Sequence, residues 1–305
     1  MATDFASIHG DAQKYLNDTS STTLTLIKKF VNRTYRDAWD RHQWTERFKG
    51  PAFIAMTAPY VSTSSITVTV TNGSATVTGS GTTFPSYSAN TVKFALSVSG
   101  EWYGVSSRDS ATQLTLDRNY LGDTASAQAF IVYQDVYNLA SDVGVLLTNT
   151  VAVHKNGYGG SLPISRARAE NEWAMPTGTG TPTAFIVHDR VSGLYRIRVG
   201  PEVPSDDNFA IRYSYFKDIT ELSGDTDEPL FHEDKREMLL WGTLARGYLL
   251  HGRAGDARDA AAIYEGMLKK AWDREQAAHP KVSGIRTVGG VGYGYPIVQY
   301  PVVAP

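Results

Sequence analysis

His232, Glu233, Asp234 and Glu237 put an imidazole and three carboxylates into one short stretch, a combination able to ligate a metal or move protons. The spacing is not His-Glu-x-x-His and no second histidine lies nearby in sequence, so neither chemistry is expected. Carboxylates in a first helical turn meet the positive end of the helix dipole, and that structural role is the one assigned to them. His188-Asp189 offers two parts of a serine triad without the Gly-x-Ser-x-Gly elbow that presents a nucleophile; a solvated pair at a strand end is expected. Gly289-Gly290-Val291-Gly292-Tyr293-Gly294 has the glycines of a phosphate loop but follows a helical pattern and lacks the lysine. Arg166, Arg168, Glu170 and Glu172 lie on a helix-compatible stretch, where a solvated face is the first expectation and contacts to a neighbouring subunit the second. Trp102, Tyr103 and Tyr120 could stack on a sugar, against which stands ordinary cross-strand packing. No spacing marks the carboxylate pair that a peptidoglycan hydrolase needs. The residues therefore predict no catalytic group, no cofactor and no metal: a protein that makes contacts rather than bonds.

Bulk composition narrows the class further. The chain has 305 residues, 42% of them apolar, enough for two or three units with real cores. It contains no cysteine, which excludes a disulfide scaffold and thiolate chemistry. A net charge of −2 supplies no basic field for nonspecific nucleic-acid binding. No apolar run approaches the roughly 20 residues of a membrane span, and Met-Ala-Thr-Asp-Phe is no signal peptide, so a soluble chain without membrane attachment is expected.

The elements that must position these residues change character along the chain. A short helix is expected over residues 5–16, then an amphipathic helix capped at Ser20-Ser21-Thr22 with Leu24, Ile27, Val31, Tyr35, Ala38 and His42 at steps of three and four. Its polar face carries Lys28, Lys29, Asn32, Arg36, Asp40 and Arg41. Residues 50–92 then contain no Asp, Glu, Lys or Arg, although charged residues make up 20% of the whole. Within them residues 64–79 alternate apolar and hydroxyl side chains, and Asn72-Gly73 favours a two-residue type I′ turn that would set Val70 opposite Ala75 and Val68 opposite Val77. Further strands at 91–97, 101–106, 112–117 and 128–137 make about six in a small barrel or sandwich over 61–136. Strands are expected again at 145–153, 184–188, 194–199 and 209–215, with a short helix at 165–173. Asp227-Glu228-Pro229 reads as a helix start, and two helices follow as an antiparallel hairpin.

The fold class expected is α+β: a helical bundle core with a small antiparallel sheet, an inserted all-β module and an extended C-terminal arm. The boundaries drawn are 1–60 for the N-terminal helices, 61–136 for the module, 137–285 for the rest of the core and 286–305 for the arm. Residues 287–305 carry no charge, four glycines and three prolines, and Tyr293, Tyr295, Ile297, Val298 and Tyr300 are the side chains expected to bind a partner. Extended, those 19 residues reach roughly 60 Å.

Taken together, residues 26–39 with the core Val-Asn-Arg-Thr-Tyr-Arg-Asp-Ala-Trp, the hairpin at 68–84, Ser-Ala-Thr-Gln-Leu-Thr-Leu-Asp-Arg at 110–118, and residues 137–143, 178–187 and 240–249 resemble the head-to-tail adaptor (connector, neck) proteins of tailed bacteriophages. Where relatives tend to carry Leu-Pro-x-Asp, this chain has Leu139-Ala140-Ser141-Asp142. The resemblance implies a non-enzymatic virion protein made in the host cytoplasm. It would form a ring of about twelve copies that binds the portal protein above and a tail nozzle, tail tube or tail fibre below. During ejection DNA would pass through its channel without tight binding. The competing expectation is a tail or baseplate adhesion component whose β-module binds a host surface glycan.

Overall fold

A helix starts where a side chain takes up its first free amides. Asp4 and Ser20 do so, accepting hydrogen bonds from Ser7 N (2.8 Å) and Thr23 N (3.2 Å), and open α1 (Phe5–Leu16) and α2 (Ser21–Arg41). A computed structural model of the chain describes residues 4–278 apart from 88, 98–99, 156–160, 167–178, 201–202 and 205–207. On α2 the expected stripe is buried at Ile27, Val31, Tyr35 and Ala38 and half-buried at Leu24 and the C-cap His42, and Trp39, outside that stripe, is buried with it. On the opposite, largely exposed face several polar side chains have partners: Lys28 pairs with Asp225 (2.8 Å), Arg41 with Glu265 (2.7 Å), and the Asn32 amide both donates to Leu222 O and accepts from Leu222 N. After a 3-10 turn at Thr45–Arg47 the chain enters β1 (Phe48–Ala55).

Eight strands follow in one continuous antiparallel path: β2 (Tyr60–Val61), β3 (Thr67–Val70), β4 (Thr76–Ser80), β5 (Val92–Ala95), β6 (Tyr103–Ser110), β7 (Gln113–Leu116), β8 (Ala125–Gln128) and β9 (Ile131–Gln134). Their order is β2-β9-β5-β6-β7-β4-β3-β8. Strand β8 ends the path, yet only two residues separate it from β9 near the other end, so the sheet must curl until its margins approach. Inside the curl lie Val68, Val70, Val77, Phe94, Tyr103, Leu114, Tyr120 and Phe130. The β3-β4 hairpin differs from expectation by two residues, pairing Val70 with Val77 and Val68 with Gly79. Gly73 takes φ 75° while Asn72 stays at negative φ, so no type I′ turn forms. The reason is tertiary. The Asn72 amide donates to Leu121 O and Gly122 O, and Gly73 N donates to Tyr120 O, so the hairpin end lengthens to grip that loop. A shift of two residues leaves every side chain on its original face, and the valines still reach the core.

The remaining strands are β10 (Val136–Asn138), β11 (Val143–Leu146), β12 (Ala152–Lys155), β13 (Ser161–Pro163), β14 (Ser165–Arg166), β15 (Thr179–Gly180), β16 (Ala184–Val191), β17 (Leu194–Gly200), β18 (Val203–Pro204) and β19 (Phe209–Lys217). Two sheets, β1-β19-β12-β13 with β11 also on β19, and β10-β17-β16-β14, enclose a shared core of Tyr137, Val153, Phe185, Ile197, Ile211, Tyr213 and Tyr215. The expected strand at 145–153 is broken by a 3-10 turn at Thr148–Thr150, where Thr150 Oγ1 accepts from Ser214 N (2.8 Å). Ser165 and Arg166 are not helical: buried Ile164 anchors an extended run that pairs parallel with β16, while 167–173 lie outside the described residues.

Asp227 does not start a helix. Its carboxylate accepts from Ser223 N and Gly224 N in a turn, and α3 (Glu233–Leu250) begins six residues later. Gly252, at φ 70°, lets the chain reverse within three residues into α4 (Ala254–Ala278). Helices α1 to α4 share one core in which Tyr35, Trp39, Trp44 and Phe231 stack edge to face at 5.3–6.1 Å.

Candidate interaction site

Where α4 ends, three elements meet at a cleft of about 780 Å³. The 3-10 turn contributes Thr45 and Glu46, the lead-in and first turn of α3 contribute residues 230–236, and the last turns of α4 contribute Arg274, Glu275 and Ala278. Lys235 lies at its base, 8% exposed, with its ammonium held by Glu46 (2.8 and 3.0 Å) and Glu275 and resting 5.0 Å over the Trp44 ring. Burial alone would depress this ammonium, but the two carboxylates overcome it and hold it above its ordinary value. Burial pushes the Glu275 carboxyl upward, yet hydrogen bonds from Lys235 and Thr45 win and leave it below the usual value. The clamp fixes the end of α4, from which residues 279–305 depart.

A second ionic contact sits where the eight-stranded sheet joins the rest. Asp135, between β9 and β10, is 2% exposed and pairs with Arg198 of β17 at 2.9 Å. Burial raises its carboxyl above the ordinary range despite that partner. Beside it Trp102 and Tyr133 meet edge to face at 5.2 Å in a small cluster with Ala95, Ile131 and Val203 of β18. Thr57 Oγ1, just before the sheet, reaches Gln134 Oε1 at its end (3.2 Å).

The residues singled out in the sequence fall as follows. His232 Nδ1 contacts Asp234 at 2.7 Å beside the cleft, Glu233 and Asp234 open α3, and no group of metal-ligating side chains occurs among the described residues. His188 sits in a bulge of β16 between Val187 and Asp189, and Asp189 is gripped by two nitrogens of Arg196, so the pair is partly buried structure rather than a solvated strand end. Trp102, Tyr103 and Tyr120 are buried at 9% exposure or less and offer no face to a sugar, which removes the stacking platform of the adhesion hypothesis. Arg166 is exposed on β14, whereas Arg168, Glu170 and Glu172 lie outside the described residues. So do Tyr293, Tyr295, Ile297, Val298 and Tyr300. Sequence reasoning missed Lys235, Glu46 and Glu275, whose separations of 189 and 40 residues give no local signal, and missed Asp135 with Arg198.

A site made of packed aromatics, clamped helices and ion pairs serves assembly better than reaction. The family model described as SU10 adaptor protein matches residues 3–288, nearly the whole chain. The chain belongs to the SU10 adaptor protein family. It is thereby a phage adaptor, a structural virion component that contacts other capsid or tail proteins, in a family type that is not normally enzymatic. No curated protein matches the chain. The family match stops at 288, so the adaptor's uncharged tail from Gly289 onward draws no support from it. No helix among the described residues is long and apolar enough to cross a membrane.

Proposed function

We propose that this adaptor joins portal to tail as a homo-oligomeric ring of about twelve copies and forms part of the conduit for DNA ejection. The observation that carries it is the family match over residues 3–288. In this assembly the helices and two enclosed sheets are the core, residues 61–136 are an inserted module directed outward or toward the tail, and residues 286–305 are the arm that holds portal. The arm suits a groove on a partner because it has no charge to desolvate and five large apolar or aromatic side chains to bury. Ordering it costs about 1–2 kcal/mol per residue in backbone freedom, so its binding depends on that burial. Arg166 is exposed, which leaves it free of the core, and with Arg168, Glu170 and Glu172 of the same segment it is assigned to contacts with a neighbouring subunit. A net charge of −2 is compatible with a channel through which DNA slides. Native mass spectrometry of the chain alone and mixed with portal rings tests this. A monomer that joins portal in a stoichiometric ring is expected; a chain that ignores portal overturns the adaptor-ring assignment.

A further inference from the structure

The inner face of the five-stranded sheet is buried, and its outer face carries half-exposed apolar side chains. Register places Phe48 and Val145 opposite Phe216, and Phe53 opposite Arg212, so all project from the side away from Ile211, Tyr213 and Tyr215. Phe48, Phe53 and Val145 are each about half exposed, at 49%, 53% and 50%. Single exposed apolar residues need no explanation, but several on one sheet face make a patch that calls for cover. This patch begins beside the cleft, because Glu46 lines the cleft and Phe48 is two residues further on.

Ala278 lines the same cleft, so the chain beyond it starts there too. The composition of that chain follows the order of the surfaces it would cross. Lys281 and Arg286 are the only charged residues after Ala278, and everything from Thr287 onward is uncharged. The cleft is lined by five carboxylates (Glu46, Glu228, Glu233, Asp234, Glu275) against three fixed cations, which favours two added positive charges. Eight residues from 279 span roughly 26 Å when extended, and the sheet face from Phe48 to Phe53 is about 17 Å long. The uncharged segment is long enough to cover it.

We propose that in the free subunit residues 279–305 fold back on their own chain, with Lys281 and Arg286 crossing the acidic cleft and the uncharged segment covering Phe48, Phe53 and Val145. The arm is then stored on an apolar face and exchanged for a partner's groove on assembly, which keeps that face from pairing with other copies beforehand. The inference needs no portal and is tested on the full chain alone, so its failure and the failure of the ring assignment are separate results.

The absence of cysteine makes the test clean. Phe53→Cys with Val298→Cys, and Val145→Cys with Val298→Cys as a second pair, are oxidised at low protein concentration beside the control Leu121→Cys with Val298→Cys. Leu121 is 66% exposed in the loop between β7 and β8 of the eight-stranded sheet, outside the five-stranded sheet that carries the patch. Intramolecular disulfides in the first two pairs should form about ten-fold faster than in the control, because contact raises the effective concentration. Adding Lys281→Glu and Arg286→Glu should remove most of that advantage. Equal rates for all three pairs overturn the proposal, as do disulfide-linked dimers whose fraction rises with concentration, which would assign the face to a neighbour's arm.

Discussion

At the scale of single residues, the ion pairs carry the sharpest expectations. Arg198→Met should cost about 3–5 kcal/mol because it strands the Asp135 carboxylate in a buried site, whereas Arg198→Met combined with Asp135→Leu should cost much less than the two single losses added. Chemical denaturation of the four proteins in the cycle decides it; an additive pair means the two groups do not interact energetically. The Lys235 clamp adds a pH dependence with a definite sign. The folded Glu275 carboxyl lies below its ordinary 4.5, so its contribution is complete above that value and is lost as pH falls through the lower folded one. Glu275→Gln should therefore flatten the fall in Tm below about pH 4.5 and lower Tm at pH 7. An unchanged acid limb would show that Glu275 does not couple to folding.

At the scale of elements, α3 lies so close to α2 that Gly242 has no room for a side chain: a Cβ there would stand 2.4 Å from Thr34 Cγ2 and 3.0 Å from Tyr264. Helix propensity alone favours alanine over glycine by about 1 kcal/mol. Overpacking should reverse the sign, and Gly242→Ala is expected to destabilise by about 1–3 kcal/mol, read as a lower denaturation midpoint. A raised midpoint would mean the helices separate cheaply. Elements of this kind were legible in the sequence where the signal was local. The Ser20 cap and the stripe of Ile27, Val31 and Tyr35 gave the start and the buried face of α2. Asp227 was engaged locally, by Ser223 and Gly224 in a turn. Distant partners explain the other misses: the Asn72 turn was reshaped by Leu121 and Gly122, and Ser165 was drawn into an extended pairing with Ala184. The clamp residues were invisible for the same cause, since only the closed fold brings positions 46, 235 and 275 together.

At the scale of the whole molecule, the mixed α+β character was readable from the change of period along the chain, from helical steps to alternation and back. The extent of sheet was not, because strands as short as Thr179–Gly180 and Val203–Pro204 carry no periodicity of their own. Deleting residues 287–305 should leave a cooperatively folding protein, since the described core is complete without them, but one that no longer cosediments with portal rings. Full portal binding by the shortened chain would remove the arm from the proposed joint.

The contact between Thr57 and Gln134, with Tyr60 of β2 pairing to Val132 of β9, means that the chain enters and leaves its eight-stranded sheet at almost one point. Two strand ends that touch can be bridged by almost nothing. The intervening segment should then behave as a cassette: replacing residues 58–133 by a few glycines and serines should leave the remaining chain able to fold, and another β-domain with adjacent termini should be graftable in its place. In the assembled particle such a cassette would let this one domain be exchanged while the path of the core stays unaltered.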